Sequence, residues 1–195
     1  MDDHGRPFVF IVVHRRSSAV IFLEAHECNT VNPAIKFNAE DTPVKITDGG
    51  LDDARVQALL ARHFKTARAE TAFGSAHALD LSGLRLPDIH FWSAWEGDCV
   101  IAVGALKLLS ESHGEIKSMH TDQSHRRKGI GSAMLRHIIA VARQMGMFRL
   151  SLETGSWPYF DPARELYRRH GFVECPPFDS YCPDPNSVFM TLELR

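Results

Sequence analysis

The run from Glu115 to Glu153 constrains this chain most. It reads as strand, helix, strand, with a cationic, glycine-bearing bend before the helix. Glu115 to Thr121 is strand-like. From Gly129 to Met145 the residues Ile130, Met134, Ile138, Val141 and Met145 form one apolar stripe, widened by Leu135, Ile139 and Ala142, which predicts a helix with one buried face. Gly146 stands where a glycine ends a helix, and Arg149 to Glu153 is a strand again. Such a unit requires two parallel strands joined by a right-handed crossover.

The flanking segments set the rest of the sheet. Val44 to Ile46 alternates and ends at Asp48-Gly49-Gly50, and residues 51–70 have helical apolar spacing with Asp52 and Asp53 in the first turn. His77 to Leu84 reads as a short second helix. His90 to Trp95 and Cys99 to Leu109, parted by Glu96-Gly97-Asp98, predict an antiparallel hairpin. A further helix is expected from about Pro158 to His170, and the last strands at Phe172 to Cys175 and Ser187 to Leu194, joined by a proline-rich loop over 176–186. The fold class is α/β (α+β): a mixed, mostly antiparallel central sheet with one central parallel β-α-β unit and flanking helices. Residues 1–43 show no sustained period. They read as an N-terminal extension of unassigned role: a flexible arm, an over-long gene start, or one more strand. The regular domain is expected over 44–195.

Composition excludes several classes. A formal charge of -2 gives no basic field to attract nucleic acid. The apolar run Phe8 to Val13 is too short to span a membrane, and acidic Asp2 and Asp3 precede it where a signal peptide carries cations, so a cytoplasmic location is expected. Cys28, Cys99, Cys175 and Cys182 form no C-x-x-C pair, so reduced thiols and no metal site are expected.

The most informative stretch is Ser124-His125-Arg126-Arg127-Lys128-Gly129-Ile130-Gly131-Ser132. A helix start presents unpaired N–H groups and the positive end of the dipole to an anion. Gly129 and Gly131 let phosphate oxygens approach the backbone, and three cations precede them. The stretch is neither a Walker loop nor a dinucleotide fingerprint. A solvated basic loop before a glycine-softened helix is the bland alternative.

Arg126-x-x-Gly129-x-Gly131 resembles the acetyl-CoA signature of the GNAT superfamily, Q/R-x-x-G-x-G/A. Ala163-x-x-Leu166-Tyr167-x-x-x-Gly171-Phe172 resembles that family's A-x-x-L-Y-x-x-x-G-F segment. The two stand in the right order with a strand between them, and the resemblance covers about residues 44–194. His77–Leu81, Glu115–Met119 and Asp184–Met190 are similar to segments of a little-characterised bacterial branch. One departure stands out: many members carry Asn three residues before the alanine, and this chain has Phe160.

The resemblance implies an N-acetyltransferase that uses acetyl-CoA as cosubstrate and a primary amine, of a small molecule or a protein, as acceptor. A non-catalytic acyl-CoA-binding module is the alternative. It implies a cofactor site at Met119, His120, Thr121, Arg126, Arg127, Lys128, Gly129, Ile130, Gly131, Ser132 and Tyr167. Acyl transfer needs a neutral amine, a donor to the oxyanion and a proton source for the departing thiolate. Tyr167 is the expected acid and Glu115 the expected base, with His120 as the other base. A main-chain N–H of Met119 or His120 would serve the oxyanion. His77, Asp80, Trp92, Trp157, Tyr181, Asp184 and Asn186 could line the acceptor pocket, although capping, core or turn roles account for each. Dimers are common in the family, and apolar strands at the end of the sheet could pair between chains.

Overall fold

A computed structural model describes residues 44–69 and 80–194; the extension over 1–43 and the candidate His77 lie outside the described residues. The strands are β1 (Lys45–Asp48), β2 (Ile89–Glu96), β3 (Cys99–Leu108), β4 (His113–Thr121), β5 (Arg149–Gly155), β6 (Val173–Glu174) and β7 (Ser187–Glu193). The helices are α1 (Ala54–Ala69), α2 (Ile130–Gln144) and α3 (Asp161–Arg169). The seven strands form one sheet in the order β1-β2-β3-β4-β5-β7-β6. Among the described strands only β4 and β5 pair in parallel. This is the mixed sheet with a central parallel unit that the sequence predicts.

Local chemistry explains the boundaries. Asp53 caps α1, its Oδ1 accepting the Arg55 N–H at 2.8 Å. The helix therefore begins at Ala54, after both aspartates rather than around them. Gly97 turns the β2–β3 hairpin at φ 55°, a conformation that favours glycine. Of the expected second helix, the described part holds a single 3-10 turn at Gly83–Arg85, to which Asp80 contributes its Oδ1 as acceptor for Gly83 N–H. The expected helix from Pro158 divides into a 3-10 turn, Pro158–Phe160, and α3. Cys175 and Cys182 are free, whereas Cys99 is disulfide-bonded, which departs from the expectation of four reduced thiols. No helix among the described residues is long and apolar enough to cross a membrane.

The strand period of two divides the sheet into two unlike faces. One face carries Trp92, Ala94, Ala102, Leu106, Ile116, Leu150, Leu152 and Met190, which close on the α2 stripe and on Tyr167 and Phe172. On the other, α1 covers Phe91, Val103 and Ala105 with Val56, Leu59 and Leu60. The β4-β5-β7 half of that second face is more polar. It holds Glu115, Ser151 and Thr191 beside Phe189, with Phe178 and Tyr181 of the 176–186 loop packed on Phe189.

Candidate active site

Two irregularities in β4 create the site. The register with β3 passes from Ala105↔Lys117 to Val103↔His120, so an extra β4 residue stands opposite Gly104. Ser118 sits in this bulge at φ 51°, and its buried Oγ has no hydrogen-bond partner among the described residues. Pairing between β4 and β5 ends just before the bulge, at Ile116↔Leu152, although the strands run on to Thr121 and Gly155. The two parallel strands thus part in the middle of the sheet. Met119, His120 and Thr121 follow the bulge on the β4 side of this fork.

The cationic bend lies directly beyond the tip of β4. Asp122 organises it by accepting the Ser124 N–H at 3.0 Å and the Ser124 hydroxyl at 2.6 Å. Arg127 at φ 63° and Gly129 at φ 83° both adopt left-handed backbone, which wraps the chain around the start of α2. The first N–H groups of α2, from Ile130 to Ser132, have no carbonyl within the helix to bond. Arg126, Arg127 and Lys128 are exposed, and none of them forms an ion pair among the described residues. Arg126 does bond the Thr121 carbonyl at 3.5 Å and the Tyr159 hydroxyl at 3.4 Å. Ile130 is buried, so only its backbone faces the bend. The Ser132 hydroxyl is turned toward α3, 2.6 Å from His170 Nε2 and 2.9 Å from Arg136 Nη1.

Tyr167 projects from α3 into the core on the α2 face of the sheet. Its ring is buried beside Phe172, with centroids 5.7 Å apart. Burial, and next the Glu153 charge, push the phenol well above its ordinary range, so it keeps its proton at any physiological pH. Phe160, the departure from the family pattern, lies over Gly155 at the end of β5. A Cβ on that glycine would come within 2.9 Å of three carbons of its ring. Arg164 fastens α3 to the same strand end by donating to the Gly155 carbonyl at 2.5 Å.

Glu115 has partners that its sequence position does not reveal. It is 2 % exposed, and its Oε1 accepts from Lys117 Nζ at 3.0 Å and from the Tyr181 hydroxyl at 2.7 Å. Lys117 Nζ also donates to Tyr181 at 2.7 Å. This closed ring joins β4 to the 176–186 loop. His120 packs against His63 of α1 with the rings tilted by 37° and centroids 4.7 Å apart. Burial, with charges that include Arg126, lowers His63 to about 4 and His120 to about 3, so both are neutral near pH 7 and weakly basic. Among the acceptor-side candidates, Trp92 is a core residue and Asp80 a turn residue. Trp157 donates to Asn186 Oδ1 at 3.0 Å, and Asp184 accepts the Asn186 N–H at 2.8 Å. No group of three or more His, Cys, Asp or Glu suited to a metal ion occurs among the described residues.

The model of the acetyltransferase (GNAT) family matches residues 56–172. The chain belongs to the GNAT acetyltransferase family. It is 51% identical over 151 residues to the uncharacterized N-acetyltransferase YsnE of Bacillus subtilis (strain 168), covering 77% of this chain and 99% of that one. A Klebsiella pneumoniae chain described as an acyl-CoA N-acyltransferase superposes with a TM-score of 0.65 at 29% identity, over 80% of this chain and 100% of that one. A GNAT family acetyltransferase from Elizabethkingia anophelis, solved with acetyl-CoA bound, shares the fold with a TM-score of 0.58 at 17% identity, over 80% of this chain and 100% of its own. The cationic bend, the fork and Tyr167 all lie within the matched region.

Proposed function

We propose that this GNAT acyltransferase carries an acetyl group from acetyl-CoA to a primary amine by direct attack in a ternary complex, in the cytoplasm. The observation that carries the reading is the parting of β4 and β5 beside a cationic helix start whose Arg126, Arg127 and Lys128 form no ion pair among the described residues. Three features fit the donor. The start of α2 with Arg126, Arg127, Lys128, Gly129 and Gly131 offers donors and positive charge to a pyrophosphate. Beyond Ile116, β4 has no β5 partner, so an amide-bearing pantetheine arm would lie along Met119, His120 and Thr121 as an added strand does. The orphan Ser118 hydroxyl at the bulge is a polar group awaiting a partner. The bound acetyl-CoA was found in a structural neighbour, which supports the same donor here.

Acetyl-CoA supplies an acyl carbon activated as a thioester. Tyr167, held protonated, donates a hydrogen bond to the leaving sulfur. Full transfer from so weak an acid to a thiolate is uphill, so its contribution is to stabilise charge on sulfur rather than to surrender the proton first. Glu115 enters through its ring with Lys117 and Tyr181, which fixes the loop on the acceptor side. The acceptor is a small-molecule or protein amine.

Thermal unfolding with acetyl-CoA, using NAD and ATP as controls, tests the donor. At about 100 times the dissociation constant, binding adds about 2.7 kcal/mol, a midpoint rise on the order of 5–10 °C. No rise at saturation refutes the donor assignment. A rise without thiol release from any amine identifies a non-catalytic binding module.

A further inference from the structure

We propose that the acceptor is an arylalkylamine without a carboxylate, its ring seated in a proline-walled hollow beside the fork. The inference deepens the acetyl-donor reading above and rests on it. Pro177, Pro183, Asp184, Pro185, Ser187 and Phe189 line an open hollow of about 360 Å³, a volume at the small end of ligand pockets. The register fixes where it stands. Ser187 and Phe189 pair with Gly155 and Glu153, and neither of those β5 residues has a β4 partner. The hollow therefore opens over the stretch of β7 that runs beside the fork. Strand alternation puts Phe189 on the face that Glu115 and Ser151 share, opposite the face packed on α2. A ring held here is kept apart by the sheet itself from the cationic start of α2.

The walls are preformed. Ser156 donates its N–H to the Asn186 carbonyl at 2.9 Å and its hydroxyl to the Pro185 carbonyl at 2.8 Å. The Ser187 N–H bonds the Asp184 carbonyl at 3.0 Å. Earlier in the loop, Tyr181 bonds Glu115, and Phe178 and Tyr181 pack on Phe189. Three of the six lining residues are prolines. A proline has no N–H and holds its ring methylenes at a fixed φ, so these walls offer apolar contact with little ordering cost on binding. Phe189 adds an aromatic surface, which favours an aromatic guest in edge or offset contact. Asp184 is the one charged residue of the lining. Its carboxylate attracts an ammonium and repels a second carboxylate. Neighbouring strands are about 4.8 Å apart, so the gap between β4 and β5 lies about 5–10 Å from β7. A ring bearing an amine on a two- or three-carbon chain bridges that distance.

The test measures thiol release from acetyl-CoA with phenethylamine, 3-phenylpropylamine, pentylamine, spermidine, phenylalanine and a short peptide with a free N-terminus. The proposal expects kcat/KM for the two arylalkylamines to exceed that for pentylamine, spermidine and the peptide by about tenfold or more. Phenylalanine should be rejected, and Asp184→Asn, which keeps an oxygen for the Asn186 N–H, should narrow that rejection about tenfold. Phe189→Leu should raise KM for phenethylamine about tenfold while leaving KM for pentylamine within about threefold and the acetyl-CoA midpoint rise unchanged. Faster acetylation of spermidine or the peptide overturns the proposal. So does phenethylamine turnover insensitive to Phe189→Leu, or an Asp184→Asn chain with unchanged rejection of phenylalanine. A wild-type chain that binds acetyl-CoA yet acetylates neither arylalkylamine overturns it with the donor reading intact. Absence of the acetyl-CoA midpoint rise in the wild type overturns the donor reading itself, and this inference with it.

Discussion

Replacing Lys117 with Met puts the sealed ring of Glu115, Lys117 and Tyr181 to the test. The Lys117 side chain is 9% exposed and Glu115 2%. The substitution removes the ammonium while keeping a straight apolar chain of similar length. Among the described residues Glu115 then retains only the Tyr181 hydroxyl at 2.7 Å. Removing one partner of a buried ion pair costs about 3–5 kcal/mol, because the remaining charge is left without compensation. For a folded unit of this size that corresponds to a midpoint drop of roughly 6–20 °C. The double variant Lys117→Met/Glu115→Gln carries no buried charge at this place and should recover most of the loss. Thermal unfolding of the four proteins in the cycle isolates the coupling between the two side chains. Tyr181 is also the ring's link to the loop, so proteolysis within 176–186 should accelerate in the single variant. A midpoint within about 2 °C of wild type, with unchanged loop cleavage, would show that water already reaches Glu115 and that the ring is no buried unit.

Other outcomes follow from the same geometry. Gly155→Ala drives a methyl into the Phe160 ring and should cost about 1–3 kcal/mol, with recovery in Gly155→Ala/Phe160→Leu by thermal unfolding. Gly129→Val forces a β-branched residue into the backbone at φ 83° and should abolish the acetyl-CoA midpoint rise while the chain still folds, as checked by circular dichroism. Tyr167→Phe should lower turnover more than acetyl-CoA affinity; unaltered turnover removes it from the chemistry. His63 and His120 have folded values depressed to about 4 and about 3, so the unfolded chain binds more protons below about pH 6.5. Stability should therefore fall as pH drops from 6.5 toward 4, and less steeply in His63→Gln/His120→Gln; a parallel decline in both would refute this.

Periodic segments were legible from sequence because their signal is local. The α2 stripe and the Gly97 turn follow from spacing within about twenty residues and are present, except that Met145, expected in the stripe, follows the helix end and is exposed; the parallel unit follows from the order strand, helix, strand. The cationic bend before α2 was legible for the same reason, since Arg126, Gly129 and Gly131 are neighbours in the chain. What the sequence hid depends on contacts between distant positions. Lys117 and Tyr181 are 64 residues apart, and nothing around either one announces the other. The bulge at Ser118 and the early end of the β4–β5 ladder leave no pattern, because register is a property of two strands at once. Glu153 was read only as the last residue of a strand. Its place at the fork emerges once Leu152 is known to be the final partner of Ile116.

The parted strands have a consequence for the life of the protein in the cell. A sheet that is open at its centre lacks one rung of its own framework, and a tightly held donor would supply that rung. The donor-loaded chain then unfolds less often than the empty one, and proteases find it less often. The abundance of this acyltransferase would consequently rise and fall with the supply of its own donor, with no separate regulator required.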